Sequence, residues 1–129
     1  METQTNKSLN ILVIEDNPAG QKLLGKLMNK QQYQVTLAEN GSMALDILSS
    51  QSFDLVLTDI ILPVMDGVEF CKALRNKEKE KGGYIPVIGL SAGNAYSRDE
   101  CLAVGMDAYL TKPFDFNELI GIIHDNTAK

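Results

Sequence analysis

Polar and apolar positions along the chain alternate between two rhythms. Short strand-like runs occur at Leu9–Ile14, Gln34–Ala38, Phe53–Thr58, Ile85–Leu90 and Asp107–Leu110, and each is followed by apolar residues at helical spacing. The run at 53–58 is apolar on both faces, as strands buried in a parallel sheet are. The helical stripes are Leu23, Leu24, Leu27 and Met28, then Met43, Ala44, Ile47 and Leu48, then Val68, Phe70, Cys71 and Leu74. Cys101, Leu102 and Val104 mark a fourth helix, and Phe116, Leu119, Ile120 and Ile123 a fifth. Start signals agree with this division. Asn17-Pro18 pairs a side-chain cap with proline at the first helical position, and Asn40-Gly41, Asp66, and Asn94 or Ser97 supply the other caps. Gly82-Gly83 and Gly105 are stop signals, and the mixed-sign run Asn76–Lys81 reads as a solvated helix end. Strand then helix, five times over, predicts an α/β fold: one doubly wound five-stranded parallel sheet with helices on both faces.

Length and charge narrow the class. A chain of 129 residues suits a single domain with a real core. The expected division is a flexible polar tail over 1–8, a domain over 9–126 and a short tail over 127–129. A net charge of −5 without a basic, aromatic-interleaved patch argues against direct nucleic-acid binding. Cys71 and Cys101 form no CxxC and no His/Cys cluster, which fits packed thiols in a reducing compartment. With neither a signal peptide nor a membrane-length apolar stretch, the expected location is the cytoplasm.

Chemistry concentrates where the strands stop. The first strand runs into Glu15-Asp16, the third into Asp59, the fourth into Ser91 and the fifth into Thr111-Lys112-Pro113. In a parallel sheet these ends share one edge, where open α/β sheets place their binding crevices. Three carboxylates brought together repel unless a hard cation joins them, and Mg²⁺ suits a few carboxylates plus water. Mg²⁺ with a lysine is equipment for holding phosphoryl oxygens. Other polar residues read as structural: Asp66 as a helix cap, Met28 and Met43 as core, and His124 as a cation near a helix end.

Leu12-Val-Ile-Glu-Asp16, Leu57-Thr-Asp-Ile-Ile-Leu-Pro-Val-Met-Asp-Gly67, Leu90-Ser-Ala92 and Tyr109-Leu-Thr-Lys-Pro113 stand in order and at characteristic spacing. Together they resemble the receiver domain of two-component response regulators, over essentially Leu9 to Asp125. The resemblance implies a flavodoxin-like sheet of strand order 2-1-3-4-5. It implies Asp59 as phosphoacceptor, supplied by a histidine kinase or histidine phosphotransfer domain. Asp16, Glu15 through water, Asp59 and the backbone carbonyl of Ile61 would bind Mg²⁺. Lys112 and Ser91 would hold phosphoryl oxygens, with Ser91 and Tyr109 as the switch pair and Lys112-Pro113 cis. The face formed by the fourth helix (with residues near Ala95–Cys101), fifth strand and fifth helix would meet a downstream partner. Nucleic acid and membrane are not expected to touch the domain.

The sequence departs from the commonest pattern at Glu15, where aspartate is usual, at Ser91 for threonine and at Leu62 for methionine. Ile61 and Gly93, two residues beyond Asp59 and Ser91, offer no polar group to orient water, so slow to moderate self-dephosphorylation is expected. An aspartyl-nucleophile hydrolase would want an aspartate at position 61, and neither a GxxxxGK[ST] nor a GxGxxG run is present. The alternative is a pseudo-receiver, an interaction module that needs no phosphorylation. Such modules have usually lost one of these acids or the lysine, and none is lost here. With no effector domain after the last helix, the chain reads as a stand-alone regulator or as a domain of a longer protein. The stretch Asp99–Pro113 resembles receivers of hybrid sensor kinases.

Overall fold

In each central strand successive side chains enter different cores. Leu12, Ile14, Val56 and Val87 belong to one apolar cluster, and Ile11, Val13, Leu55, Leu57, Ile88 and Leu90 to the other. This period-two division explains why these runs are apolar on both faces. The computed structural model describes residues 8–93 and 96–127. It contains β1 (Asn10–Ile14), α1 (Pro18–Lys30), β2 (Gln34–Ala38), α2 (Gly41–Leu48), β3 (Leu55–Asp59), α3 (Gly67–Lys81), β4 (Val87–Ser91), α4 (Arg98–Ala103), β5 (Ala108–Thr111) and α5 (Phe116–Thr127). All pairings are parallel, and the strand order is β2-β1-β3-β4-β5. Leu24 and Met28 of α1 and Leu119 and Ile123 of α5 fill one core; Ala44 of α2, Phe70, Cys71 and Leu74 of α3 and Cys101 of α4 fill the other. Among the described residues no helix is long and apolar enough to cross a membrane.

The helix signals act as the sequence predicts. The Asn17 side chain accepts from the N–H groups of Ala19 and Gly20, and Asn40 accepts from Met43. Asp66 and Ser97 each form a capping box, with Glu69 and Glu100. Asn94, the other expected cap, and Ala95 lie outside the described residues, as do the tails 1–7 and 128–129. Gly105, at φ 115°, ends α4: its N–H reaches Leu102 O and that of Met106 reaches Cys101 O, a Schellman arrangement.

Several expectations need correction. The third strand starts at Leu55, not Phe53, because the Asp54 carboxylate turns back to accept from Asn10 N, and it includes Asp59. Leu23, Leu37 and Met43 are 55%, 42% and 40% exposed. Leu23 and Met43 lie off the helix faces that pack on the sheet, and Leu37 sits on β2, an edge strand. The run Asn76–Lys81 is not wholly solvated. Glu78 Oε1 accepts from Arg75 at 2.7 Å and Glu78 Oε2 from Ile85 N at 2.8 Å. Arg75 also donates to the carbonyls of Ile85 and Gly105 and pairs with Asp107 at 3.0 Å. The Asp107 carboxylate in turn accepts from Val87 N and the Tyr84 hydroxyl. These residues clamp the end of α3 to the start of β4 and the α4–β5 turn. His124 pairs its Nε2 with the Tyr33 hydroxyl at 3.1 Å.

Candidate functional site

Four strand ends meet at the carboxyl edge of the sheet. β1 delivers Glu15 and Asp16, β3 ends on Asp59, β4 on Ser91, and β5 leads into Lys112. One carboxylate oxygen each from Glu15, Asp16 and Asp59 lie within 4.8 Å of one another. Glu15 is only 3% exposed, whereas Asp16 is open to solvent. Lys112 Nζ stands 2.9 Å from Asp59 Oδ1 and 3.4 Å from Glu15 Oε1. The second oxygen of Glu15 accepts from Asn17 N at 3.1 Å, so the helix cap also anchors this acid.

Three carboxylates against one ammonium leave two negative charges uncompensated. Burial, and then these charges, shift the proton affinities of Asp59 and Lys112. Burial pushes the Asp59 carboxyl up to about 6; Lys112 opposes the shift, and the neighbouring Glu15 adds to it. Burial works against the charge on Lys112, yet its hydrogen bond and ion pair with Asp59 hold its pKa above the ordinary value. Three oxygen donors at this spacing, with surplus negative charge and one member facing solvent, fit a small hard cation.

The β3–α3 loop folds back beneath Asp59. Gly67 N donates to Ile60 O at 2.9 Å, and the Thr58 hydroxyl donates to Asp59 O at 2.8 Å. A side-chain carbon at Gly67 would stand 2.5 Å from Asp59 O, so only glycine lets the loop approach this closely. The turn holds Val64 at φ 66°, an unfavourable conformation for a β-branched residue, and leaves Ile61 54% exposed. A carbon at Gly20, in α1, would lie 2.8 Å from the Glu15 carboxyl group.

The switch candidates lie on β4 and β5. Ser91 is buried and donates its hydroxyl to Gly93 O at 3.0 Å rather than to the carboxylates; its own carbonyl accepts from Lys112 N at 2.7 Å. Tyr109 is half-buried and donates to the carbonyl of Tyr96 at 3.4 Å. The Lys112–Pro113 bond is cis. The structure thus brings Glu15, Asp16, Asp59 and Lys112 into one cluster, with Ser91 at the end of the neighbouring strand β4, while Tyr109 stands opposite Gly89 on β5. Sequence reasoning missed Gly20 and, though it quoted Gly67 in a motif, the steric role of that glycine. The two glycines show no local signal, because what they make room for lies elsewhere in the chain.

The family model described as the response regulator receiver domain matches residues 11–124. The chain belongs to this family. Receiver domains are the phosphoacceptor modules of two-component signalling, so the pseudo-receiver alternative is not favoured. Hybrid signal transduction histidine kinase I of Dictyostelium discoideum is 34% identical over 92% of this receiver, which spans 7% of that protein. Sensor histidine kinase GacS of Pseudomonas protegens is 34% identical over 95% of it, and the receiver spans 14% of that protein. The solved receiver domain of a Pseudomonas aeruginosa sensor histidine kinase superposes with a TM-score of 0.84 at 33% identity, covering 95% of this chain and 100% of that one. That structure has a magnesium ion coordinated in its active-site cleft. The co-crystal structure of the Saccharomyces cerevisiae phosphotransfer protein Ypd1 with the receiver domain of Ssk1 matches at a TM-score of 0.86 and 29% identity, covering 96% of this chain and 92% of that one.

Proposed function

We propose that Asp59 is the phosphoacceptor of this receiver and that its donor is a phosphohistidine on a histidine kinase or histidine phosphotransfer domain. An oxygen of the Asp59 carboxylate forms the new bond to phosphorus as the phosphorus–nitrogen bond breaks, and the donor imidazole leaves, taking a proton from solvent. The observation that carries this reading is the Lys112–Asp59 contact of 2.9 Å inside a three-carboxylate cluster at the end of a buried strand. Lys112 holds Asp59 before transfer and a phosphoryl oxygen after it. Ser91, once it gives up Gly93 O, donates to another phosphoryl oxygen. Glu15, Asp16, Asp59 and the Ile61 carbonyl would hold Mg²⁺, which when bound supplies positive charge against the carboxylates and the phosphoryl group.

Movement of Ser91 leaves space that Tyr109 fills, changing the α4–β5–α5 face that meets the output partner. The domain acts only on its own acyl phosphate, assisting its formation and hydrolysis, and has no separate substrate. Its place is the cytoplasm, in keeping with the two free, buried cysteines. Intact mass after incubation with acetyl phosphate and Mg²⁺ tests the reading. A phosphate-sized gain is expected in the wild type, lost with EDTA and absent from Asp59→Asn. A gain that persists in Asp59→Asn would overturn the assignment.

A further inference from the structure

Glu15 is held at every polar atom it has. Its N–H donates to Ala38 O at 2.9 Å and its carbonyl accepts from Gln21 Nε2 at 2.7 Å, so the main chain is fixed on both sides. Its carboxylate is divided between Lys112 Nζ, 3.4 Å from Oε1, and Asn17 N, 3.1 Å from Oε2. The residue is 3% exposed, and α1 walls its niche with Gly20. A carbon built on Gly20 would stand 2.8 Å from both Cδ and Oε1 of Glu15 and 3.1 Å from its Cγ. Glycine inside a helix is less stable than alanine. At Gly25 of the same helix the space for a side chain is open, whereas at Gly20 the Glu15 carboxylate fills it. We propose that Gly20 is a positioning residue that determines which acid can stand at position 15. Gly20 and Glu15 form a size-matched pair, in which the glycine keeps the longer acid's carboxylate beside Asp16 and Asp59.

A crowded carboxylate has no room to retreat here. The strand pairing at Ala38 and the Gln21 side chain fix the main chain of Glu15, so a methyl group at position 20 expels the carboxylate rather than moving the strand. With it goes one of the three acidic oxygens that lie within 4.8 Å of one another, and the bond from Asn17 N is lost. Aspartate at position 15 is one methylene shorter. The carbon removed there matches the carbon added at 20, and the two changes together conserve volume. The shortened side chain branches at the Cγ position, 3.1 Å from the added carbon, and its carboxylate turns about the last bond to clear it.

The proposal rests on this cluster being the cation site of the phosphoacceptor reading, and two measurements separate the ideas. In calorimetric titration with Mg²⁺, Gly20→Ala should weaken binding about tenfold, the low end of the loss when a ligand's supporting contacts are disturbed. In the Glu15→Asp background the same substitution should change binding by less than about twofold. Urea midpoints in EDTA need no metal. There Gly20→Ala should lower the midpoint when Glu15 is present and leave it unchanged or raise it in the Glu15→Asp background, while Gly25→Ala should raise it. Unchanged Mg²⁺ binding in Gly20→Ala, an equal loss in both backgrounds, or a fall in Gly25→Ala as well would each overturn the pairing. If Gly20→Ala does not fold, a cooperative transition regained in the double variant supports the pairing, and its absence overturns it. A wild type that binds no Mg²⁺ counts against the functional reading, and the midpoints in EDTA then decide the pairing.

Discussion

Lys112 and Asp59 form an ion pair of 2.9 Å that nonetheless leaves Asp59 with an elevated pKa. Burial of the carboxyl group outweighs the lysine, whose charge is shared with Glu15. In the folded state Asp59 titrates at about 6, against an ordinary value of 3.8. The native protein thus binds this proton more tightly than the unfolded chain does. Stability falls as pH rises from about 3.8 to about 6, and the penalty is fully present above that window. Asp59→Asn is expected to be more stable than wild type by about 1–3 kcal/mol at pH 7.5, with the gain at least halved at pH 4.5. Urea unfolding at the two pH values checks this; equal gains at both would contradict the assigned shift.

Gly67 limits how far the acceptor loop tolerates change. Because an added carbon would meet the backbone oxygen of Asp59, relief requires the main chain to move. Gly67→Ala is expected to lose about 1–3 kcal/mol in urea unfolding and to slow phosphate acceptance. At Gly89 an added carbon would meet side-chain atoms of Met106 and Ile60 instead. Those can give way, so Gly89→Ala should leave the acceptance rate closer to wild type.

Arg75 joins Glu78, Asp107 and the carbonyls of Ile85 and Gly105, with its side chain 14% exposed. Arg75→Met would leave two carboxylates and two carbonyls short of their partner. The expected loss is about 3–5 kcal/mol, read from the urea midpoint at constant slope. A loss below about 1 kcal/mol would show the clamp to be dispensable.

Ile61 and Gly93 bear on the lifetime of the acyl phosphate. Neither carries a polar side-chain group that could orient a water, and a carbon added at Gly93 would meet nothing within 4 Å among the described residues. Phospho-Asp59 is expected to decay over minutes or longer. Intact mass after removal of the donor measures the half-life, and decay within seconds would refute the expectation.

Much of this fold was legible before any coordinates. Asn17-Pro18, Asp66 and Gly105 act as their local chemistry predicts, since caps and left-handed stops depend on neighbours a few residues away. The limits of the reading are equally physical. Leu23 and Leu37 matched an apolar pattern, yet exposure depends on where α1 meets the sheet and on β2 lying at its edge. Glu78 read as a solvated charge because its partners Arg75 and Ile85 N meet it only when α3 closes over β4.

By itself the sequence determined the alternation of strands and helices and the residue types at the strand ends, because periodicity, capping and turn chemistry are local. That the four functional strands end at one edge followed as soon as the sheet was taken to be parallel. Only the tertiary structure decided which of those side chains touch. Lys112 meets Glu15 across 97 positions of sequence. The room for Glu15 and the close approach to Asp59 come from absent side chains at Gly20 and Gly67. Tyr96 reaches Asp66 from a different element. Such contacts are set by strand register and helix packing, which bring distant residues within a few ångströms of each other and leave no periodic trace in the chain.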